Sequence, residues 1–373
     1  MNESSNMRIA FFIESLALGG IGRLTLLLAE HFAGKGYHVD LVVAKRQGNY
    51  LAQIPPDLEL VDLKASKLIF STHLVGAYLK AANPDVLISA NERVNIIALL
   101  AKKLYKSKIK VIISIHVNNS EQVRHEKFLP SLYRRAVLVI ARLVYKWADQ
   151  VVAVSKGVAM DACRLFKLSA DRVTVIYNPL VTPEIKVKMK TAVEHPWLKQ
   201  SQFPVILGIG RLTAQKDFMT LLEAFSAVRK DEPEARLIIL GEGEKRDELE
   251  KKTALLGLND YVSMPGFVDN PYSYLYHSSV FVLSSAWEGF GNVLVEAMAT
   301  GTPVVATNCP SGPAEILEDG KYGPLVPVGD VNSLAQAVVA VLKDPPNPIT
   351  LQSRAESFSV EKAVDKYLKL INS

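Results

Sequence analysis

Short runs rich in Val, Ile and Leu recur along this chain, and stretches with helical spacing separate them. In the first half these runs are at residues 7–13, 39–44, 84–89, 110–116, 150–155 and 172–179. Near-continuous apolar runs of this length are typical of parallel strands whose two faces are both covered by helices. The pattern therefore predicts the strand and helix alternation of a doubly wound α/β sheet.

The alternation restarts after a basic, proline-containing segment over 179–204, which we interpret as a linker. Its apolar runs are at residues 203–212, 236–244, 262–268, 279–285 and 303–307. A chain of 373 residues is too long for one ordinary core. We therefore predict an N-terminal domain over 1–178 and a C-terminal domain over 179–359, with a final helix over 360–373 that packs back on the first. Open parallel sheets bind ligands at the carboxyl ends of their strands, so we expect the site in a cleft between the domains.

Composition limits the possible classes of protein. The chain is 49% hydrophobic and 22% charged, which is typical of a folded globular protein and not of a disordered one. Its two cysteines have neither metal-ligand spacing nor the number needed for a disulfide framework. The polar opening MNESSN and the short apolar runs contain no signal or membrane-spanning pattern. We expect a cytoplasmic protein.

Charge is distributed unevenly between the two predicted domains. Residues 1–178 carry 24 Lys and Arg against 14 Asp and Glu, a net charge of +10, whereas residues 179–373 carry 19 against 24, a net charge of −5. This asymmetry predicts different partners for the two domains.

The most informative stretch is SSAWEGFGNVLVEAMATGTP at residues 284–303. It predicts a strand end, a Gly-Phe-Gly loop and a helix from Asn292 to Ala299. Glycines and the amide groups that open a helix can hold an anion such as a phosphate. Glu288 and Glu296 bracket this loop, an arrangement that suits hydroxyl groups on either side of a diphosphate. The alternative is that Glu288 caps the helix and Glu296 lies on a solvated face.

Two cations follow the first strand of the second domain. Arg211 comes directly after Gly210, and Lys216 lies five residues further on, where we expect the next helix to start. Cations at a strand's carboxyl end would neutralise a diphosphate as its charge increases. The alternative is an ordinary strand end with a solvated lysine.

The first domain offers a glycine turn, Gly19-Gly20-Ile21-Gly22, and a histidine, His116, at the end of a predicted strand. The turn lacks the G-x-G-x-x-G spacing of dinucleotide sites, and Asp40 opens the following strand instead of ending it, which argues against nicotinamide binding. His116 is either packed or directed toward the cleft. The chain has no D-x-D pair to hold a metal on a diphosphate, so we expect no metal ligands.

Taken in order, these motifs resemble the large retaining nucleotide-sugar glycosyltransferase family 4. They are Gly19-Gly20, His116, G-R-L-x-x-x-K at 210–216, G-E-G-E at 241–244 and E-G-F-G-x-x-x-x-E at 288–296. The resemblance covers nearly the whole chain. It implies the GT-B pair of Rossmann-like doubly wound domains, a UDP- or GDP-sugar donor as substrate, no cofactor and no metal.

The same resemblance implies roles for individual residues. The catalytic group would be Glu288, His116, Arg211 and Lys216. Contacts to the nucleotide sugar would come from Gly19, Gly20, Arg211, Lys216, Gly241, Glu242, Val268, Glu288, Phe290, Gly291 and Glu296. Within that set, Glu296 would bind the ribose and Arg211 and Lys216 the diphosphate.

The chain departs from the family pattern at two places. Asp217 follows Lys216 where glycine is common, and Asn308 to Glu315, NCPSGPAE, replaces a more usual Gly-Gly-x-x-Glu. Such a variant resembles enzymes of capsule, lipopolysaccharide or exopolysaccharide synthesis. We expect a hexosyl- or N-acetylhexosaminyl-transferase that acts on a glycan or lipid-linked acceptor. A sugar-nucleotide epimerase, a phosphorylase and a non-catalytic nucleotide-sugar binder are the alternatives.

The basic first domain contains an amphipathic stretch over 124–146. Its cations are Arg124, Lys127, Arg134, Arg135, Arg142 and Lys146. Such a face can bind anionic lipid headgroups at the inner face of the plasma membrane. The alternative is a solvated helix that packs by its apolar stripe. No recognition helix, zinc spacing or aromatic RNA-binding signature indicates nucleic acid.

Overall fold

The structure, a computed structural model, describes residues 7–17, 19–126, 128–199 and 202–373. The polar opening, Lys127 of the basic stretch and residues 200–201 of the predicted linker lie outside the described residues. The chain forms two compact units. Unit 1 combines Met1–Pro179 with Val360–Ser373, and unit 2 is Leu180–Ser359.

Strands and helices alternate along both units. The strands are β1 Arg8–Ile13, β2 His38–Val43, β3 Glu59–Asp62, β4 Val86–Ala90, β5 Lys110–Ile115, β6 Gln150–Ala153, β7 Val173–Val175, β8 Val205–Ile209, β9 Arg236–Leu240, β10 Val262–Gly266, β11 Val280–Leu283, β12 Val304–Thr307 and β13 Leu325–Val326. The helices are α1 Gly20–Gly34, α2 Ser71–Ala82, α3 Glu92–Leu104, α4 Asn119–His125, α5 Phe128–Val144, α6 Lys156–Phe166, α7 Pro183–Lys188, α8 Pro196–Lys199, α9 Phe218–Asp231, α10 Arg246–Leu255, α11 Pro271–His277, α12 Asn292–Thr300, α13 Pro313–Ile316, α14 Val331–Lys343, α15 Pro348–Ala355 and α16 Val360–Asn372.

Each unit is built on one parallel sheet. The order in unit 1 is β3-β2-β1-β4-β5-β6-β7, and the order in unit 2 is β10-β9-β8-β11-β12-β13. In each sheet, the chain first adds strands on one side of the first strand and then adds the remaining strands on its other side, as in a Rossmann-like domain. The strand order reverses between β1 and β4 in unit 1 and between β8 and β11 in unit 2. Ligands of such folds bind beyond the strand ends at these switch points. The predicted fold class is confirmed.

The last helix, α16, completes the core of unit 1. Its buried residues follow helical spacing and pack with the apolar side chains of β1 and α1: Val360, Ala363, Val364, Tyr367 and Ile371. Burying each large apolar side chain contributes roughly 1.5–3 kcal/mol. Unit 1 is therefore assembled from both ends of the chain.

Two short strands and the predicted linker differ from the expectation. β3 pairs with β2 at one edge of its sheet, and β13 pairs with β12 at the edge of the other. Both are too short to give a strong apolar run. The described part of 179–204 is not a linker but part of unit 2, because it forms α7 and α8 and buries Ile185, Val193 and Leu198.

In the part of the chain that the structure describes, we find no helix with both the length and the apolar character needed to cross a bilayer.

Candidate functional site

An ion pair joins the two loops that meet at the switch point of unit 2. The ammonium of Lys216, in the loop after β8, lies 2.5 Å from Oε1 of Glu288, in the loop after β11. The backbone amide of Ala286 also donates to the carbonyl of Gln215, and the Gln215 side chain donates to the carbonyl of Trp287. The two loops are thus held together where the fold binds ligands.

Glu288 is nearly buried, and neighbouring residues fix its position. Its residue exposure is 7%, Ser285 Oγ donates to its Oε1 at 2.7 Å, and its backbone amide donates to the carbonyl of Pro310. Burial and the nearby Glu288 carboxylate raise the pKa of the Cys309 thiol to about 12, so this thiol stays protonated. Glu288 is therefore a preorganised carboxylate and not a helix cap.

Glycines let the neighbouring strand ends of unit 2 approach one another closely. A Cβ on Gly241 would lie 2.0 Å from the carbonyl oxygen of Gly210, and a Cβ on Gly210 would lie 2.9 Å from Cε of Lys216. The Gly241 amide donates to the carbonyl of Gly266. These contacts leave no room for a side chain at Gly210 or Gly241, so backbone lies beside Lys216 at these positions.

The Gly-Phe-Gly loop leads into α12 as predicted. Gly291 precedes the helix in a left-handed conformation, with φ of +100°, and Gly301 ends it with φ of +83°. The Phe290 ring is buried against Phe358 at a centroid separation of 5.4 Å. Glu296 is 4% exposed within α12, so the alternative of a solvated face for this residue is wrong.

Three of the predicted unit 2 residues are more accessible. Arg211 is exposed, and within the described residues its guanidinium has no ion-pair partner. Glu242 is also exposed and accepts from Arg246 at 2.7 Å, while Val268 is partly buried after β10. Arg211 and Lys216 therefore differ, since only Lys216 is held by a carboxylate.

The predicted residues of unit 1 lie at the ends of two of its strands. Gly19 precedes α1 with φ of +152°, and no atom lies within 4 Å of where its Cβ would be. Gly20 is the first residue of α1, and His116 directly follows β5. At the switch point itself, Arg93 donates to Glu14 at 2.7 Å, joining the start of α3 to the loop after β1.

His116 lies in a mainly apolar cavity at the carboxyl ends of the unit 1 strands. The cavity is lined by, among others, Ile13, Ala90, Ser114, His116, Asn178 and Tyr367. Burial lowers the pKa of His116 to about 4 and raises the pKa of Tyr367 to about 12, so both side chains are neutral near pH 7. Ser114 lies between them on the cavity wall: its Oγ is 2.9 Å from His116 Nε2, and its influence on Tyr367 partly offsets the effect of burial on the pKa of that phenol.

Asp40 has a structural role away from these strand ends. It is fully buried in β2, where Arg8 donates to both of its carboxylate oxygens at 2.8 and 3.0 Å. Among the described residues, only His38, Asp40 and Glu59 form a cluster with metal-ligand spacing, and Arg8 already binds both of its carboxylates.

Sequence reasoning missed the residues that hold the predicted ones in place. Ser285, Gln215 and the carbonyl of Pro310 position the Glu288 loop, and Ser114 and Tyr367 surround His116. Ser285 stands three residues before Glu288, which was a usable local signal. Tyr367 gave none: the final helix was expected to pack on the first domain, but no local pattern placed this side chain in the His116 cavity.

Two family models match the chain, and together they cover most of it. The model Glycosyltransferase Family 4 matches residues 18–182, and the model Glycosyl transferases group 1 matches residues 190–358. The boundary between the matches lies near the start of unit 2.

Curated relatives and solved structures agree with these models. The chain is 29% identical over 96% of both chains to N-acetylgalactosamine-N,N'-diacetylbacillosaminyl-diphospho-undecaprenol 4-alpha-N-acetylgalactosaminyltransferase of Campylobacter jejuni. It is 37% identical to the lipopolysaccharide core biosynthesis glycosyltransferase LpsE of Rhizobium meliloti, over 46% of this chain and 50% of that one. The crystal structure of Anabaena HepE in complex with UDP superposes with a TM-score of 0.77 at 22% identity, covering 97% of this chain and 99% of that one.

Two Rossmann-like units, each built on one parallel sheet, form the GT-B fold. The chain belongs to the glycosyltransferases of the family 4 type, and the resemblance inferred from its motifs is confirmed.

Proposed function

We propose that this glycosyltransferase moves a hexosyl or N-acetylhexosaminyl group from a UDP- or GDP-sugar to a hydroxyl of a glycan or lipid-linked acceptor, with retention of anomeric configuration. The observation that carries the proposal is the Lys216–Glu288 pair at the switch point of unit 2. It combines a cation suited to a diphosphate with a carboxylate suited to sugar hydroxyls.

The donor site that we propose is mainly in unit 2. Lys216 and the exposed Arg211 bind the diphosphate, while Glu288 contacts the donor sugar. The ribose is assigned to Glu296. We assign contacts with the rest of the nucleotide sugar to Gly241, Glu242, Val268, Phe290 and Gly291. Unit 1, the acceptor-side unit, contributes Gly19, Gly20 and His116, of which His116 acts at the transferred sugar.

Lys216 has two partners in this scheme. Without donor it neutralises Glu288, and a bound diphosphate offers it a doubly charged alternative. Lys216 is therefore drawn toward the phosphates when the donor binds, and Glu288 is left to accept hydrogen bonds from sugar hydroxyls.

The proposed chemistry is a front-face substitution. The bond between the anomeric carbon and the diphosphate oxygen breaks, and the acceptor oxygen forms its bond on the same face. The acceptor proton passes to the departing phosphate oxygen. The protein supplies positioning and stabilisation of the charge on the leaving group, which are the largest effects in such reactions.

The relatives support a role in cell-surface glycan synthesis. One is named for a diphospho-undecaprenol acceptor and another for the lipopolysaccharide core. We propose that this enzyme acts in the cytoplasm, in peripheral contact with the inner face of the plasma membrane, where a lipid-linked acceptor is accessible.

The first experiment identifies the donor. A thermal-shift panel of UDP- and GDP-sugars should show one donor that raises Tm, because ligand at a hundredfold over its Kd adds about 2.7 kcal/mol to the free energy of unfolding. Acceptor-stimulated turnover then separates a transferase from an epimerase, which converts the donor alone, and from a non-catalytic binder, which shows no turnover.

The second experiment tests the cations. Lys216→Ala and Arg211→Ala should each lower kcat about 100-fold or more, by analogy with the loss of one oxyanion donor. Lys230→Ala, on the exposed end of α9, is the matched control and should retain kcat. Near-normal turnover in both site variants would refute the role assigned to the two cations.

A further inference from the structure

The outer surface of α5 in unit 1 is apolar, although it faces solvent. Leu132, Val139 and Leu143 are 57%, 60% and 58% exposed. Together with Ala136 and Ile140, they recur at i, i+4, i+7, i+8 and i+11, which is one stripe along a helix. We call these five residues the outer α5 face.

A second apolar stripe of the same helix already supplies its packing. Leu138, Ala141 and Val144 are buried under α5. At about 100° per residue, Leu138 and Ala141 lie roughly opposite the outer α5 face. The interpretation of a solvated helix that packs by its apolar stripe explains the inner stripe only. Solvating the outer one is unfavourable, and contiguous exposed apolar surface usually marks an interaction site.

Positive charge flanks the outer α5 face. Arg135, Arg142 and Lys146 are exposed, and their spacing places them between the two apolar stripes. Helix α5 contains no Asp or Glu. In the preceding segment, the acidic residues Glu121 and Glu126 are paired with Arg124 and Arg134. The cations beside the face are therefore not neutralised by carboxylates of their own helix.

Apolar side chains are also exposed on the neighbouring helices of unit 1. Helix α3 packs against both α2 and α5. Exposed apolar side chains at the end of α3 and around the start of α2 are Ile69, Phe70, Leu74, Leu104 and Tyr105. Lys67, Lys103 and Lys106 are exposed beside them. The same combination of apolar and cationic side chains thus recurs on adjoining helices.

The combination of exposed apolar side chains and flanking cations indicates which kind of partner the outer α5 face binds. A two-fold dimer through the outer α5 face would place Arg135 and Arg142 near their own copies, with no acid on α5 to offset the repulsion. An anionic bilayer instead offers acyl chains to the apolar stripe and phosphates to the flanking cations. Arg and Lys can extend their charged ends to headgroups while their stems remain apolar.

We propose that the outer α5 face is a docking surface for an anionic lipid bilayer. Helix α5 lies in the plane of the membrane interface, with Leu132, Val139 and Leu143 directed toward the acyl chains and Arg135 and Arg142 at the phosphates. The inference deepens the proposed function by specifying how the enzyme reaches a lipid-linked acceptor, and it rests on that function only for the identity of the acceptor.

Flotation of the full chain with vesicles tests the surface. The wild type should float with vesicles of phosphatidylglycerol and phosphatidylethanolamine but not with neutral phosphatidylcholine. Raising salt from about 0.05 M to about 0.5 M should weaken binding, because the headgroup attraction is screened. Val139→Asp with Leu143→Asp should lower the bound fraction about tenfold or more, and Arg135→Glu with Arg142→Glu should do the same.

Matched controls are available in unit 2. Leu255→Asp and Ile349→Asp replace apolar residues that are at least as exposed, and Lys230→Glu reverses an exposed cation. These variants should float like wild type. Val139→Ser with Leu143→Ser is the milder pair should the aspartates disturb folding, which circular dichroism would reveal. Equal flotation of outer-face and control variants, or no wild-type binding at low salt, would overturn the proposal.

Two further measurements separate the possible failures. Light scattering reports whether the protein is a dimer. If the wild type is a dimer that does not bind vesicles, and the outer-face variants are monomers, the face is a protein interface and the proposal is overturned. Hydrolysis of the donor without lipid should be the same in wild type and outer-face variants. Absence of donor hydrolysis in the wild type, together with flotation that the outer-face variants lose, would refute the proposed function and leave the docking surface supported.

Discussion

The Lys216 ammonium lies 2.5 Å from Oε1 of Glu288, an oxygen that also accepts a hydrogen bond from Ser285. Both side chains are mostly removed from water, so each depends on the other more than an exposed ion pair would. The pair joins loops that are 72 residues apart in sequence. It therefore serves the fold of unit 2 as well as the proposed donor site.

A double-mutant cycle should reveal this coupling. Lys216→Ala leaves Glu288 without its cation and should lower the free energy of unfolding by roughly 3–5 kcal/mol. Adding Glu288→Gln removes the unpaired charge. The double variant should therefore lose less stability than the sum of the losses of the two single variants, by about 1 kcal/mol or more. Urea unfolding measures these differences. The exposed Lys188–Glu184 pair, 2.8 Å apart, is the control and should show much weaker coupling.

Asp217 explains a departure from the family pattern. It adopts the left-handed conformation, with φ of +45°, where glycine is favourable, and its side chain accepts from the backbone amide of Thr220 at the start of α9. Asp217→Ala loses the cap and keeps the strained backbone, so it should cost about 2 kcal/mol. Asp217→Gly loses the cap but relieves the strain and should cost a few tenths of a kcal/mol, about as little as other cap replacements by glycine. Equal Tm values for the two variants would contradict this explanation.

The proposed phosphate loop depends on close backbone packing at Gly312. A Cβ there would lie 1.7 Å from the carbonyl oxygen of Phe290, and the residue has φ of +103°. Gly312→Ala should therefore displace the Phe290–Gly291 loop and weaken UDP binding about tenfold or more. Gly329→Ala is the control, because its φ is +75° but no atom lies within 4 Å of its Cβ. It should lose only about 1 kcal/mol of stability and keep its affinity in titration calorimetry.

His116 should make stability depend on pH in a defined window. Its pKa is lowered from the ordinary value near 6.5 to about 4, because burial disfavours the imidazolium. Between these values the unfolded chain binds the proton and the folded chain does not, so stability decreases as pH falls from about 6.5 to 4 and is constant above that window. His116→Gln should show a shallower loss of Tm over this range. Parallel curves for the two proteins would show that His116 does not titrate in this way.

Ser114 and Tyr367 should act through His116. Ser114 Oγ lies 2.9 Å from His116 Nε2, and Tyr367 lines the same cavity, so the two hydroxyl groups can hold the imidazole in one orientation. Ser114→Ala removes one of these hydroxyl groups and Tyr367→Phe removes the other. We expect both to lower kcat more than they raise KM, and to shift the acidic limb of the pH–rate profile. Changes in Tm alone would indicate a purely structural role.

The periodic features of the fold were predictable, and the reason is physical. Buried parallel strands and glycine-terminated helices leave local signals, so α12 was predicted to start at Asn292 and to stop at Gly301, and the final helix over 360–373 matches α16 closely. Edge strands bury less, and β3 and β13 left no comparable signal. The segment 179–204 is basic and contains proline, but its apolar residues Ile185, Val193 and Leu198 are too scattered to show a period.

The candidate site was predictable where chemistry concentrates in one motif. Glu288, Gly291 and Glu296 lie within nine residues, and the strand order explains why Lys216 reaches Glu288. Contacts from distant parts of the chain had no such signal. The exposure of Leu132, Val139 and Leu143 also required the structure, because the sequence of an amphipathic helix does not say which of two apolar stripes is covered.

The return of α16 to unit 1 has a consequence for synthesis on the ribosome. Residues up to Pro179 emerge before unit 2, but Val364 and Tyr367 of their core are translated after it. Unit 2 is continuous in sequence and can therefore fold while unit 1 still lacks helix α16. Nascent chains stalled before Val360 should thus yield a protease-resistant fragment from the second unit ahead of the first, which reverses the usual N-to-C order of domain maturation.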